Sequence, residues 1–150
     1  MNFSDWTLWQ NRNRLDNIKY PGIYILAHTH NDISGRRFEW LEEIIYIGMT
    51  NSKGGLNSRM QQFENTIIGK TGHGGAERVR YKHTDYKGLV CNLYVSVAPF
   101  QCDVNSNKAG DLLIMGKVAE FEYVCFAEYV NRFERLPEFN DKKKSPKKKT

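Results

Sequence analysis

Gly22-Ile23-Tyr24-Ile25-Leu26-Ala27, opened by Pro21, and Ile44-Ile45-Tyr46-Ile47-Gly48 are the two runs on which the fold turns. Both are rich in β-branched and aromatic residues, and turn-forming residues bound them, so each reads as a strand. The stretch between them carries Asn31-Asp32 and Ser34-Gly35-Arg36-Arg37, which is polar and turn-forming. Two neighbouring strands joined by a long, decorated hairpin loop account for this order.

Outward from this pair, the amino-terminal segment reads as a helix capped by Ser4 and ending near Tyr20-Pro21. Phe3 and Leu8 are spaced as a hydrophobic staple around that cap. On the other side, residues 49–55 form a polar, glycine-containing loop, and Leu56, Met60, Phe63 and Ile67 recur about one turn apart, which predicts a short amphipathic helix. A glycine-rich loop over 69–75 leads to a brief basic helix over 76–82, and the alternation in 89–98 predicts a third strand. Asp111 then caps a long helix carrying Leu112, Met115, Val118, Ala119, Cys125, Phe126, Tyr129 and Phe133 at three- and four-residue intervals, stopping before Pro137. The expected architecture is α/β: a small three-stranded sheet flanked by helices, with an N-terminal helix, over residues 1–140.

A chain of 150 residues with 40% hydrophobic content buries one ordinary core, so any function must fit on one domain. It has no apolar run of about eighteen residues, and Met1-Asn2-Phe3-Ser4-Asp5 has neither a basic nor an apolar leader region. The expectation is therefore a soluble intracellular protein with no membrane partner. Cys91, Cys102 and Cys125 are odd in number and widely spaced, which argues against a disulfide framework or a zinc knuckle and predicts reduced, buried thiols. The net charge of +5 is concentrated: residues 141–150 hold six of the 22 basic residues and one of the 17 acidic ones, leaving 1–140 neutral. A lysine run with one proline and no large apolar residue reads as a disordered Lys-rich tail drawn to phosphates by charge, and it also fits a nuclear-import signal.

Gly22-Ile23-Tyr24 and Tyr46-Ile47-Gly48, in consecutive strands, resemble the signature of the GIY-YIG endonuclease family, which includes excision-repair, phage homing and restriction nuclease catalytic domains. The resemblance covers roughly residues 20–140. The excision-repair members carry an arginine on the first helix, matched by Arg59 in Leu56-Asn57-Ser58-Arg59 if Ser52-Lys53-Gly54-Gly55 is an insertion. They also carry a glutamate followed nine residues later by proline and twelve residues later by asparagine, a spacing shown by Glu128, Pro137 and Asn140. Glu120 and Glu122 share the helix but lack that spacing, so the metal-ligand role is carried to Glu128. His73 lies where some members place a histidine beyond the first helix, whereas Phe63 stands where members often have histidine or tyrosine.

The resemblance implies a metal-dependent DNA endonuclease using Mg²⁺ or Mn²⁺ and leaving 5′-phosphate and 3′-hydroxyl ends. The residue types suit that chemistry independently. A tyrosine, with a phenol near ~10 unless shifted, can take a proton from water when a cation lowers its pKa; Tyr24 is favoured for this, with Tyr46 orienting water. Arg59 offers a planar fork to two phosphate oxygens. Glu128 supplies a hard oxygen ligand for the metal. Asn140 would hold the helix end or orient a metal-bound water, and His73 would touch a phosphate or assist proton transfer. Arg78, Arg80 and Lys82, beside His83, are the expected backbone contacts, while His28 and His30 read as surface. The alternatives are a catalytically inactive nucleic-acid-binding module and a subunit of a larger nuclease complex.

Overall fold

The computed structural model describes residues 2–70 and 72–147. Its centre is an antiparallel sheet in the order β1-β4-β2-β3, formed by β1 (Thr7–Leu8), β2 (Gly22–His28), β3 (Ile44–Thr50) and β4 (Leu93–Pro99). Strand β2 lies between β3 and β4, and this explains its nearly continuous apolar sequence: helices cover both faces of the sheet, so neither face can be polar. Tyr24 and Leu26 point to one core with Val95 and Val97, where α1 (Gly55–Ile67), α2 (Gly74–Lys82) and α3 (Tyr86–Val90) pack. Ile23, Ile25 and Ala27 point to the other with Ala98, where Val118, Cys125 and Tyr129 of α4 (Ala109–Phe133) pack. The result is the expected α/β sandwich, with four strands in place of three.

The extra strand replaces the expected amino-terminal helix. Trp6 and Trp9 are both fully buried, but in opposite cores. A helix puts residues three apart on one face, so it could not serve both cores, whereas an extended chain crossing the sheet edge can. Ser4 accordingly bonds to β4 and caps no helix: its N–H donates to the Val97 carbonyl at 2.8 Å, and its Oγ accepts from the Val97 N–H at 2.9 Å. A 3-10 turn, Trp9–Arg14, follows β1, and the Trp9 indole N–H donates to Glu64 of α1 at 3.1 Å.

Two boundaries also differ from expectation. The third predicted strand starts at Leu93, because the chain winds through α3 first and thereby drops Leu89 and Val90 into the first core. Lys108, not Asp111, occupies the cap position of α4; Asp111 sits inside the first turn and accepts from the Asp103 N–H at 3.0 Å. The helix ends at Phe133 as expected, with Glu134 in the left-handed conformation. All three cysteines are free, but only Cys125 is buried, and Cys91 is exposed at the end of α3.

After the 3-10 turn Glu138–Asn140, residues 141–147 run in turns against the body, with Ser145 buried. Residues 148–150 of the expected arm lie outside the described residues. No helix among the described residues is long and apolar enough to cross a membrane.

Candidate active site

The register of β2 and β3 sets Tyr24 opposite Gly48 and Leu26 opposite Tyr46. Side chains alternate along a strand, so both tyrosines fall on the same face, and their ring centroids are 6.0 Å apart. The glycines are explained by what lies over them. A Cβ on Gly48 would stand 2.5 Å from the Tyr24 hydroxyl, and one on Gly75, at the start of α2, would stand 2.7 Å from that of Tyr46. Neither position has room for a side chain while the tyrosines keep these places.

The two hydroxyls are not equivalent. Tyr24 is fully buried, whereas Tyr46 is 9% exposed and lines a cleft of about 540 Å³ with Arg59, Gly74, Gly75 and Arg78. Burial pushes the Tyr24 phenol well above its ordinary pKa, and the neighbouring Tyr46 raises it further against the lowering pull of Arg59. Burial also raises Tyr46, but Arg59 and Arg78 oppose this, and the interaction between the hydroxyls favours loss of the proton from Tyr46. Tyr46 therefore ionises first. The sequence alone favours Tyr24 as the proton acceptor, whereas the hydroxyl that reaches the cleft is that of Tyr46.

His73 completes the cluster. Its ring is buried among Tyr24, Tyr46 and Phe63, with Phe63 5.0 Å away in an edge-on arrangement. The Ala76 N–H donates to Nδ1 at 3.2 Å, capping α2, so the proton of the neutral ring must sit on Nε2. Nε2 lies 2.7 Å from the Tyr24 hydroxyl and donates to it. Burial, then the charge of Arg59, lowers the imidazole pKa to about 4, so at neutral pH it is an uncharged donor. His73 touches Tyr24, and is too buried to meet a phosphate. The aromatic Phe63 helps form the packed pocket that holds it.

Arg59 is half-buried on α1, and its Nη1 donates to Gln62 Oε1 at 2.8 Å. Its charge acts on Tyr24, Tyr46, His73 and Glu122 alike, which places it at the electrostatic centre of the cluster. Glu122, on α4, is the acidic partner: it raises Tyr46, and burial raises its own carboxyl while Arg59 lowers it. Glu128 does not reach the tyrosines. It is ion-paired to Arg132 at 2.9 Å and lines a different groove, with Phe3, Phe38 and Trp40. The sequence contained a signal for Glu122 as well. Glu122 falls in the line Val118, Glu122, Cys125, Tyr129, whose three other members are buried, and a carboxylate on a core-facing stripe needs a reason.

Asn140 acts on the backbone. Its Oδ1 accepts from the Ile47 N–H at 2.8 Å and its Nδ2 donates to the Ile47 carbonyl at 2.9 Å, so it clamps the outer edge of β3 next to Tyr46. The basic residues of α2 diverge. Arg78 is buried, donates from Nε to the Phe139 carbonyl at 2.9 Å and lines the cleft. Arg80 is exposed against Gly69, and Lys82 is ion-paired to Glu138. Arg80 and Lys82 are thus absent from the cleft lining.

Among the described residues, no group of three His, Cys, Asp or Glu side chains is arranged to hold a metal ion. A single carboxylate does fit a hydrated divalent ion, which keeps most of its waters. Glu122 is half-buried, and no hydrogen bond or ion pair with another described residue satisfies it. No family profile matches the chain, and neither a curated protein nor a solved structure matches it.

Proposed function

We propose that this protein is a metal-dependent endonuclease of the GIY-YIG kind, hydrolysing phosphodiester bonds in DNA. The observation that carries the reading is that Tyr46 and Arg59 line one open cleft, with Tyr24 and His73 packed behind Tyr46 and the Glu122 carboxylate near enough for its charge to act on Tyr46 and to feel Arg59. Tyr46, having lost its own proton to solvent, takes a proton from the attacking water as the phenolate, and Arg59 favours that form by opposing the rise that burial gives its pKa. The water oxygen bonds to phosphorus, the P–O3′ bond breaks, and the leaving O3′ takes up a proton from solvent, giving 5′-phosphate and 3′-hydroxyl ends. Arg59 binds the non-bridging oxygens and stabilises the added negative charge. Glu122 would hold Mg²⁺ or Mn²⁺, which when bound polarises the phosphate and favours departure of O3′. Tyr24 and His73 position Tyr46: His73 Nε2–H donates to Tyr24, leaving the Tyr24 proton free to turn toward a Tyr46 phenolate.

The test is incubation of the purified protein with supercoiled plasmid, branched DNA and single strands, with and without Mg²⁺ or Mn²⁺. Metal-dependent nicking with 5′-phosphate ends is expected, and it should be lost in Tyr46→Phe. Binding without cleavage in every arm would support a nucleic-acid-binding module and overturn the enzyme reading.

A further inference from the structure

The cleft beside Tyr46 has a second wall. Lys142, Ser145, Pro146 and Lys147, from the segment after the last 3-10 turn, line it together with Arg59 and Arg78. This segment is wound into a defined turn. The Ser145 N–H and Oγ–H both donate to the Asp141 carbonyl, at 3.0 and 2.6 Å, while Asp141 Oδ1 accepts from the Lys143 and Lys144 N–H groups. Ser145 is only 3% exposed, so its side chain packs against the body and fixes where the flanking lysines leave the turn.

Charge in this cleft is poorly balanced. The Arg59 and Arg78 guanidinium groups bond to neutral acceptors, Gln62 Oε1 and the Phe139 carbonyl. Lys142 makes no ion pair with a described residue, and Lys147 has one long contact, 3.8 Å to Glu77. Four cations drawn to one concavity repel each other unless an anion joins them, and the nuclease reading assigns only Arg59 to the phosphate at Tyr46. Of the remaining three, Arg78 and Lys147 both lie beside Gly74 at the positive end of α2, and Lys142 belongs to the same short segment as Lys147.

We propose that residues 141–147 are a wall of the substrate cleft and that Lys142 and Lys147, with Arg78, bind the backbone phosphate adjacent to the one that is cut. The proposal rests on the nuclease reading and adds to it a second phosphate subsite that fixes the path of the strand. A free basic arm would act through its number of charges wherever they lie. A subsite acts through position.

The test compares Lys142→Ala/Lys147→Ala with Lys87→Ala/Lys108→Ala, which removes the same charge from positions outside the cleft. On a short duplex with one defined cut, the cleft variant is expected to raise KM roughly tenfold with kcat within about twofold, and the control to change KM by less than about twofold. A neutral methylphosphonate at the linkage next to the cut should raise the wild-type KM similarly and erase the difference between wild type and the cleft variant. Equal effects of the two double variants would overturn the subsite. So would faster cleavage after truncation at Asp141, which would make the segment an inhibitory strap. If the wild type cuts nothing, the nuclease reading falls, and fluorescence anisotropy of the same oligonucleotide in EDTA decides the subsite separately. Affinity lost only in the cleft variant supports it; equal loss, or none, overturns it.

Discussion

His73 Nε2 lies 2.7 Å from the Tyr24 hydroxyl while its Nδ1 accepts the Ala76 N–H, so one buried imidazole both caps α2 and fixes the hydrogen bonding of a tyrosine on β2. The link joins the loop after α1 to the central strand. It also forces the ring to be neutral, because both of its nitrogens are already assigned and it is shielded from water.

This neutrality makes stability depend on pH in a predictable direction. The folded-state pKa of His73 is depressed to about 4 from 6.5, so its contribution is fully present above pH 6.5 and is lost as pH falls toward 4. The shift corresponds to about 3 kcal/mol at most. Asn at position 73 retains a cap acceptor and does not titrate. Denaturant melts of wild type and His73→Asn between pH 4 and 7.5 should show a steeper acid loss in the wild type, and parallel curves would refute the assignment.

The two tyrosines should separate in mutagenesis. Tyr46→Phe is expected to lower single-turnover cleavage by roughly 10²-fold or more with little change in melting temperature. Tyr24→Phe strips the acceptor from the buried His73 Nε2–H, which costs about 1–3 kcal/mol, and should therefore lower stability together with activity. Equal loss of stability in both variants would deny Tyr46 its distinct role.

Glu122 and Glu128 give opposite expectations. Glu122→Gln should abolish metal-dependent cleavage and remove the rise in melting temperature that Mg²⁺ gives the wild type. Glu128→Gln removes only an exposed helical ion pair with Arg132, about 0.3–0.5 kcal/mol, and should cut normally. Calorimetry in Mg²⁺ and EDTA with a parallel cleavage assay checks both, and a metal response lost in Glu128→Gln instead would reinstate that residue.

Asn140→Ala deprives the Ile47 N–H and carbonyl of their partners on the outer edge of β3. Each bond contributes about 0.5–1.5 kcal/mol, so a loss of about 1–3 kcal/mol is expected, with activity falling because Tyr46 is next along the strand. Asn140→Asp keeps the acceptor and should recover part of the stability. If Asn140→Ala is as stable as the wild type yet inactive, the side chain has a chemical role that the clamp does not explain.

The residues themselves determined the central strands, the existence of α1 and α4 and where α4 stops, because alternation and helical spacing are local patterns that burial imposes on any sequence. Tyr24, Tyr46 and Arg59 were legible for a different reason, the resemblance of the two strands and the first helix to a nuclease signature. The amino-terminal segment was not, since a staple and cap around Ser4 describe a helix until Trp6 and Trp9 must fill cores on opposite sides of a sheet. Which glutamate comes under the charge of Arg59 depends on how α4 is rotated against β3, and which of two same-face hydroxyls opens to the cleft depends on the packing of α1, α2 and His73. Residues 141–147 differ for another reason. Their composition describes only a charged run, and it is the contact of Ser145 and Lys147 with the body that turns part of that run into a wall of the cleft. Local sequence sets the direction of each side chain about its own element, while the meeting of side chains from distant elements is decided only when the elements pack.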